Sequence, residues 1–367
     1  MSSNAAQLPS TYKGLLFASA SVPPTITPIP TPKLEHGTVI IRPIYSWIFN
    51  YAADIYTNGN PRNYPIQFPV VGGLNGIGRV AAVPPDAGSL KVGDLVVIDP
   101  FLKQRDGVHT VNAMALGMAE ADHGTWGELI RIPLENALRV DEAALQKRNI
   151  SLKDLAFFSQ LVPPYGGLRD VALTAGETVL IAPATGNFGG AAVHVALAMG
   201  ARVIAMGRNE AILAELKVLA PGRVDTIVLS GSVEADVANI ARYGPVDVFQ
   251  DWSPPMATNK AHIRAGILSV RPGGRVSFMG NVKDFEIPYG ALVYGGLSVK
   301  GTLMYTRDQA LDLIKLIETG TIKLGPEAGL ATNGVFKLDE WEVAFELAAK
   351  EAGAGRAVYF APNQDLI

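Results

Sequence analysis

The residues with the clearest chemical potential are Ala184-Thr185-Gly186-Asn187-Phe188-Gly189-Gly190. They lie between an apolar run, Thr178–Ala182 (TVLIA), and a helix-period segment, Gly189–Met199 (GGAAVHVALAM). The pattern reads A-x-G-x-x-G, a dinucleotide fingerprint with Ala184 at the first glycine position. Without a side chain, Gly186 lets backbone approach a pyrophosphate, and Gly189 lets the helix pack close to the strand. The N–H groups of Asn187, Phe188 and their neighbours at the helix start attract phosphate charge. Glycines at such a turn can also be purely structural. The strand-turn-helix setting is what favours a cofactor.

The second strand of such a unit reports which dinucleotide is bound. NAD binders place an Asp or Glu there, about 20 residues on, to hold the ribose 2′-hydroxyl. Here the strand ends Ala205-Met206-Gly207-Arg208-Asn209, with no acid. Gly207 leaves room, and the Arg208 guanidinium suits a 2′-phosphate that a carboxylate would repel. The reading is NADP(H). The alternative is a solvent-facing Arg208, with Glu210 taking part at the ribose. Two further turns follow apolar strands at the sheet edge where dinucleotides collect. They offer Trp252, in Trp252-Ser253-Pro254-Pro255, and Gly280 with Asn281. Loop punctuation is the competing explanation for the last two.

These residues need a scaffold, and the sequence outlines one. From about Ser151 to Arg307, apolar strands alternate with helix-period segments: Arg202–Met206, Glu210–Leu219, Thr226–Leu229, Val233–Ala241, Val246–Gln250, Ala257–Val270 and Arg275–Met279. That alternation is the signature of a parallel sheet covered on both faces, an α/β doubly wound fold. Residues 1–150 differ. Thr38–Pro43, Gly78–Val83 and Leu95–Ile98 are short, rich in β-branched residues and bounded by Gly and Pro, as in a partly open β-barrel. After a strand at Leu297–Thr302 and a helix from Arg307 to Thr319, the tail leaves the alternating rhythm. It offers an amphipathic helix, Asp339–Lys350, and a strand, Ala357–Phe360, which should return to the first domain. The expected domains are therefore 1–150 with 312–367, and 151–311.

Composition narrows the function. The chain has 367 residues, 48% hydrophobic and 18% charged, with net charge −3. This is ample for a large core and argues against disorder or general nucleic-acid binding. No stretch approaches the roughly 18 apolar residues of a membrane span, and the N-terminus lacks a secretory layout. A soluble cytoplasmic protein with no membrane or nucleic-acid partner is the expectation. Cysteine is absent, which excludes disulfides, thiolate nucleophiles and Cys-ligated metals. His36, His109, His123, His194 and His262 show no metal-ligand spacing.

Four landmarks occur in order: Gly73-Leu74-Asn75-Gly76-Ile77-Gly78-Arg79-Val80, Val92-Gly93-Asp94-Leu95-Val96, Gly124-Thr125-Trp126-Gly127-Glu128 and Ala184–Gly190. Over nearly the whole chain this pattern resembles the medium-chain dehydrogenase/reductase superfamily, in particular its zinc-free quinone oxidoreductase and enoyl reductase branch. The resemblance implies a GroES-like catalytic domain, a Rossmann cofactor domain, hydride transfer from a nicotinamide, and a homodimer formed near Leu297–Thr302. Zinc-dependent members carry Cys-x-x-Asp and Gly-His-Glu. This chain has Tyr51-Ala52-Ala53-Asp54 and Gly73-Leu74-Asn75. Neither Tyr51 nor Leu74 is a plausible catalytic zinc ligand, and no cysteines exist for a structural site. No metal is expected.

Without a metal, developing charge must be held by hydrogen-bond donors and protons must come from a side chain or water. Tyr64 is the nearest match to the catalytic tyrosine of enoyl reductases. Tyr51 and Asp54 stand where the family places substrate-side residues. A pocket-lining aromatic is the alternative role for either tyrosine, and Asp54 suits support of its neighbours better than acting as a base. The leading expectation is NADPH-dependent reduction of an activated C=C bond in a small lipophilic substrate. Carbonyl reduction or alcohol oxidation on the same scaffold comes second. A non-catalytic NADPH-binding protein comes third.

Overall fold

The run Thr178–Ala182 is buried along its whole length and occupies the middle of a six-stranded sheet in the computed structural model, which describes residues 8–102, 114–119 and 123–367. Among the described residues the strand order is Val224–Val228, Arg202–Gly207, Thr178–Ala182, Val246–Asp251, Val270–Phe278 and Ser298–Gly301, all parallel. The chain starts in the middle, builds to one edge, then crosses back and builds to the other. The order reverses between Thr178–Ala182 and Val246–Asp251, the switch point at which doubly wound sheets bind ligands. Helices Asn187–Ala198, Glu210–Lys217, Val233–Ala241 and Ala261–Ser269 make the crossovers. Two of them start on residues well suited to capping: Asn209 Oδ1 accepts from the Ile212 amide, and Ser232 Oγ from that of Ala235. Leu180, Ile204, Met206, Phe249, Ile263 and Val276 form much of the core.

This sheet belongs to a unit comprising Gln160–Leu330 and Gly353–Arg356. Its extent differs from the expected 151–311. A boundary at 311 would cut helix Arg307–Glu318, whose Ala310, Leu313, Ile314 and Ile317 are buried together. Gln309 also donates to Asp170 Oδ1 at 2.7 Å, tying the helix start to the end of helix Phe158–Asp170. An amphipathic helix cannot divide its apolar face between two cores, so the unit continues beyond it. The fading strand–helix rhythm is a poor guide to that end.

The other unit comprises Met1–Ser159, Ala331–Ala352 and Ala357–Ile367. Strand Thr38–Trp47 runs antiparallel to Gly76–Ala82 and to Ile130–Pro133. Its end pairs with the tail, Trp47 opposite Tyr359 and Ser46 opposite Phe360. Asn363 Nδ2 then donates to the Pro43 and Glu128 carbonyls at 2.8 and 3.0 Å, and Arg42 ion-pairs with Asp365. A separate sheet joins Thr25–Pro30, Thr11–Phe17 and Val70–Val71. Trp126 is fully buried, with Phe17, Phe49, Tyr56, Phe345 and Phe360 packed around its ring. Among the described residues no helix is long and apolar enough to cross a membrane.

Candidate cofactor and substrate sites

The segment Ala184–Gly190 forms a tight turn between strand Thr178–Ala182 and helix Asn187–Ala198. Ala184 is buried and its amide donates to the Met206 carbonyl at 2.8 Å, which pins the turn to the neighbouring strand. Gly186 is the N-cap of helix Asn187–Ala198, with no side chain capping that first turn. A Cβ on Gly186 would meet nothing within 4 Å, so the surface there is open to a ligand. A Cβ on Gly189 would lie 2.0 Å from the Pro183 carbonyl oxygen, so only glycine lets the helix approach the strand this closely. Gly189 thus permits the close helix–strand approach, and Gly186 leaves its backbone uncovered.

Other expected cofactor contacts are more committed to the fold. Gly207 does not open space to a ligand: a Cβ there would lie 2.4 Å from Thr185 Cγ2, so its missing side chain seats Thr185. The Asn187 amide donates to the Gly353 and Arg356 carbonyls at 2.9 and 3.1 Å, leaving its backbone rather than its side chain for phosphate. Asn209 is the helix cap noted above. Phe188 stacks on Trp252, centroids 5.5 Å apart and planes 21° apart, and Trp252 Nε1 donates to Gln250 Oε1. Arg208 is exposed, and its guanidinium has no hydrogen-bond or ion-pair partner among the described residues.

The same sheet edge carries a buried polar chain that sequence reasoning missed. The Ser253 hydroxyl donates to Asp251 Oδ1 at 2.5 Å, and Ser253 Oγ lies 2.7 Å from His262 Nε2. With its one proton given to Asp251, Ser253 accepts from His262, which fixes that Nε2 as protonated. Burial pushes the Asp251 carboxyl up to about 6, against its bonds to Ser253. Burial also lowers His262, which the nearby Asp236 opposes and Arg208 reinforces. A Cβ on Gly280 would lie 2.3 Å from Asp251 Oδ2, and the Asn281 amide donates to the Ser253 carbonyl. Gly280 and Asn281 therefore hold the edge loops together. The only sequence signal was an Asp at the carboxyl end of an apolar strand.

In the other unit the three expected catalytic residues do meet, through a fourth. Tyr51 precedes the short helix Ala52–Tyr56, its ring 4.8 Å from Phe49 and 6.1 Å from Tyr64, nearly parallel to the latter. The Arg62 guanidinium lies 4.5 Å over the Tyr51 ring, and its Nε donates to Asp54 Oδ2 at 2.8 Å. Asp54 is thus a support for Arg62, in keeping with the weaker expectation for it as a base. Burial raises the Tyr51 phenol well above its usual range, with Tyr64 adding to this and Arg62 opposing it. The loop presenting Arg62 and Tyr64 is fixed by Asn60, whose amide bonds both the N–H and the carbonyl of Tyr64, at 3.0 and 2.8 Å. Asn60 and Asn63 adopt the left-handed region that Asn tolerates among L residues. Gly59-Asn60-Pro61-Arg62-Asn63-Tyr64 carried that turn signal in its sequence, though nothing in it announced the Arg62 contacts.

Leu74 and Asn75 follow Gly73 in the segment compared above with Gly-His-Glu. Ser46 Oγ and Thr125 Oγ1 each lie 3.1 Å from the Asn75 carbonyl oxygen and also within hydrogen-bond reach of one another; with one proton apiece, one hydroxyl donates to the carbonyl and the other to its neighbour. Asn75 Oδ1 is buried with no partner among the described residues. No group of three or more His, Cys, Asp or Glu that could hold a metal occurs among them. His109 lies outside the described residues.

Comparison with known proteins accounts for this combination of units. The model for alcohol dehydrogenase GroES-like domains matches residues 35–142, and that for zinc-binding dehydrogenases matches residues 188–319. The L-threonine 3-dehydrogenase of Pectobacterium carotovorum is 25% identical over 90% of this chain and 93% of its own length. The acryloyl-coenzyme A reductase of Metallosphaera sedula is 24% identical over 80% and 85%. The fold matches that of acetophenone reductase from Geotrichum candidum in complex with NAD, with a TM-score of 0.75 and 17% identity, over 99% of this chain and all of that one. The protein is an oxidoreductase with a GroES-like unit and a Rossmann unit. It belongs to the medium-chain dehydrogenase/reductase superfamily, and membership implies a nicotinamide dinucleotide cofactor.

Proposed function

We propose that this protein is an NADP(H)-dependent reductase that works without zinc and delivers hydride to an activated C=C bond of a small, largely apolar substrate. The observation that carries the reading is the residue set at the family's zinc positions. Tyr51, Leu74 and Asn75 offer no thiolate, imidazole or carboxylate there, so a catalytic zinc does not fit them. Support for NADP(H) is the Arg208 guanidinium at the end of the second strand, with no hydrogen-bond or ion-pair partner among the described residues and no carboxylate at that strand end. A bound nicotinamide would supply the hydride. Ala184, Thr185, Gly186 and Gly189 would cradle the pyrophosphate, with Arg208 on the 2′-phosphate.

In place of a Lewis acid, this chain offers phenols. Held far above its usual range, the Tyr51 hydroxyl stays protonated through the working pH range. It can donate a hydrogen bond to a developing enolate oxygen but releases its proton reluctantly. That division of labour leaves Tyr64 or water to deliver the proton. Incubation with NADPH and a panel of enones, quinones and ketones tests the reading, with the product assigned by NMR. A saturated ketone is expected. An allylic alcohol would shift the assignment to carbonyl reduction, which kinship with alcohol and threonine dehydrogenases favours. Tight NADPH binding with no turnover would leave the non-catalytic alternative.

A homodimer is part of the same proposal. The edge strand Ser298–Gly301 is exposed throughout, and Tyr294, Leu303 and Val293 expose large apolar side chains beside it. An open strand edge next to apolar surface is a template for pairing with a second copy.

A further inference from the structure

Arg62 has more donors than its surroundings use. Its Nε donates to Asp54, and its guanidinium carbon sits over Tyr51. Neither Nη group has an acceptor among the described residues, yet neither is sealed from solvent, although the side chain as a whole is only 13% exposed. Four N–H bonds on the outer edge of the fork are therefore reachable and unused. Desolvating a guanidinium this far without acceptors is unfavourable, and a ligand that supplies them reverses that cost.

The surroundings hold this fork in one orientation before any ligand arrives. Asp54 fixes one edge, the Tyr51 face fixes the plane, and the Asn60 bonds fix the loop that carries Arg62. A planar pair of N–H groups matches the two oxygens of a carboxylate, while the near-parallel Tyr51 and Tyr64 rings suit a flat conjugated chain. We infer that Arg62 is a carboxylate-recognising residue, and that the substrate is a small unsaturated carbonyl compound with an acidic end. This rests on the reductase reading for the reacting bond, but the subsite itself can be tested apart from turnover.

A matched pair decides it: trans-4-oxo-2-pentenoate and its methyl ester, titrated calorimetrically into the protein saturated with NADP⁺ so that no reduction occurs. The acid should bind about tenfold or more tightly than the ester, the worth of a charge-assisted hydrogen-bond pair. Arg62→Gln should abolish that preference, and Arg62→Lys, which keeps the charge but not the fork, should retain only part of it. Equal binding of acid and ester by the wild type, or a preference surviving in Arg62→Gln, overturns the inference. Folding of both variants is checked by circular dichroism; where Arg62→Gln fails to fold, Arg62→Lys carries the test, and an undiminished acid preference in it overturns the inference. A separate assay with NADPH and the acid tests the reductase reading. No turnover of the acid alongside its Arg62-dependent binding would sink that reading and leave the subsite standing.

Discussion

Arg208 is the residue on which cofactor choice turns. It stands where an NAD binder would have an acid, its guanidinium has no protein partner among the described residues, and it is exposed. Arg208→Ala should raise the Kd for NADPH about tenfold or more while leaving NADH nearly unchanged, since only the 2′-phosphate loses a charge-assisted bond. Equal losses for both cofactors, read by fluorescence titration, would defeat the NADP(H) assignment. Asp251 makes a different prediction. Its folded value of about 6 exceeds its ordinary 3.8, so on acidification the native state takes up a proton before the unfolded chain does. The penalty is full above pH 6 and relieved as pH falls towards 4. Asp251→Asn keeps an acceptor for Ser253 but removes the titration. Its stability relative to wild type should fall by about 2 kcal/mol between pH 7.5 and pH 4.5 in urea unfolding. A constant difference across that range would show that Asp251 does not titrate as described.

At the scale of elements, the turn before helix Asn187–Ala198 separates two roles of glycine. Gly186 faces open space, with φ of −87° that alanine adopts freely. Gly186→Ala should therefore change stability by under about 1 kcal/mol, the cap preference alone, while weakening cofactor binding severely. Gly189→Ala must move backbone, because its Cβ would lie 2.0 Å from the Pro183 carbonyl. It should lose about 1–3 kcal/mol of stability as well as cofactor affinity. Thermal melts with and without NADPH distinguish the pair; a stable Gly189→Ala would mean that helix and strand are less closely locked than described. This turn was legible in sequence because its chemistry is local: small residues at fixed spacing between a strand and a helix. The Asp251-Ser253-His262 chain was not, since its third member comes from the following helix and only tertiary packing delivers it. Gly207 was half legible. Its lack of a side chain was plain, but the Thr185 methyl group that fills the space was not.

At the scale of the whole molecule, an exposed edge strand beside Tyr294 and Leu303 predicts self-association. Light scattering should give a dimer, and the double variant Val299→Asp/Leu303→Asp should give a monomer by placing charge where apolar surface is buried. A monomeric wild type would remove the proposal. The sequence by itself determined the parallel α/β unit, the β-rich character of the first segment and the glycine-rich strand-to-helix turn at Ala184–Gly190. Each of these is written in composition or short-range periodicity, and such patterns survive without knowledge of distant contacts. Tertiary structure decided the rest. It returned the tail to strand Thr38–Trp47, kept helix Arg307–Glu318 whole within the cofactor unit, and set Arg62 over Tyr51 with Asp54 at its side. The physical reason is that a fork of donors takes its meaning from the acceptors around it. Which of those are protein, and which are left for a ligand, is fixed only when the loop from Gly59 to Tyr64 closes.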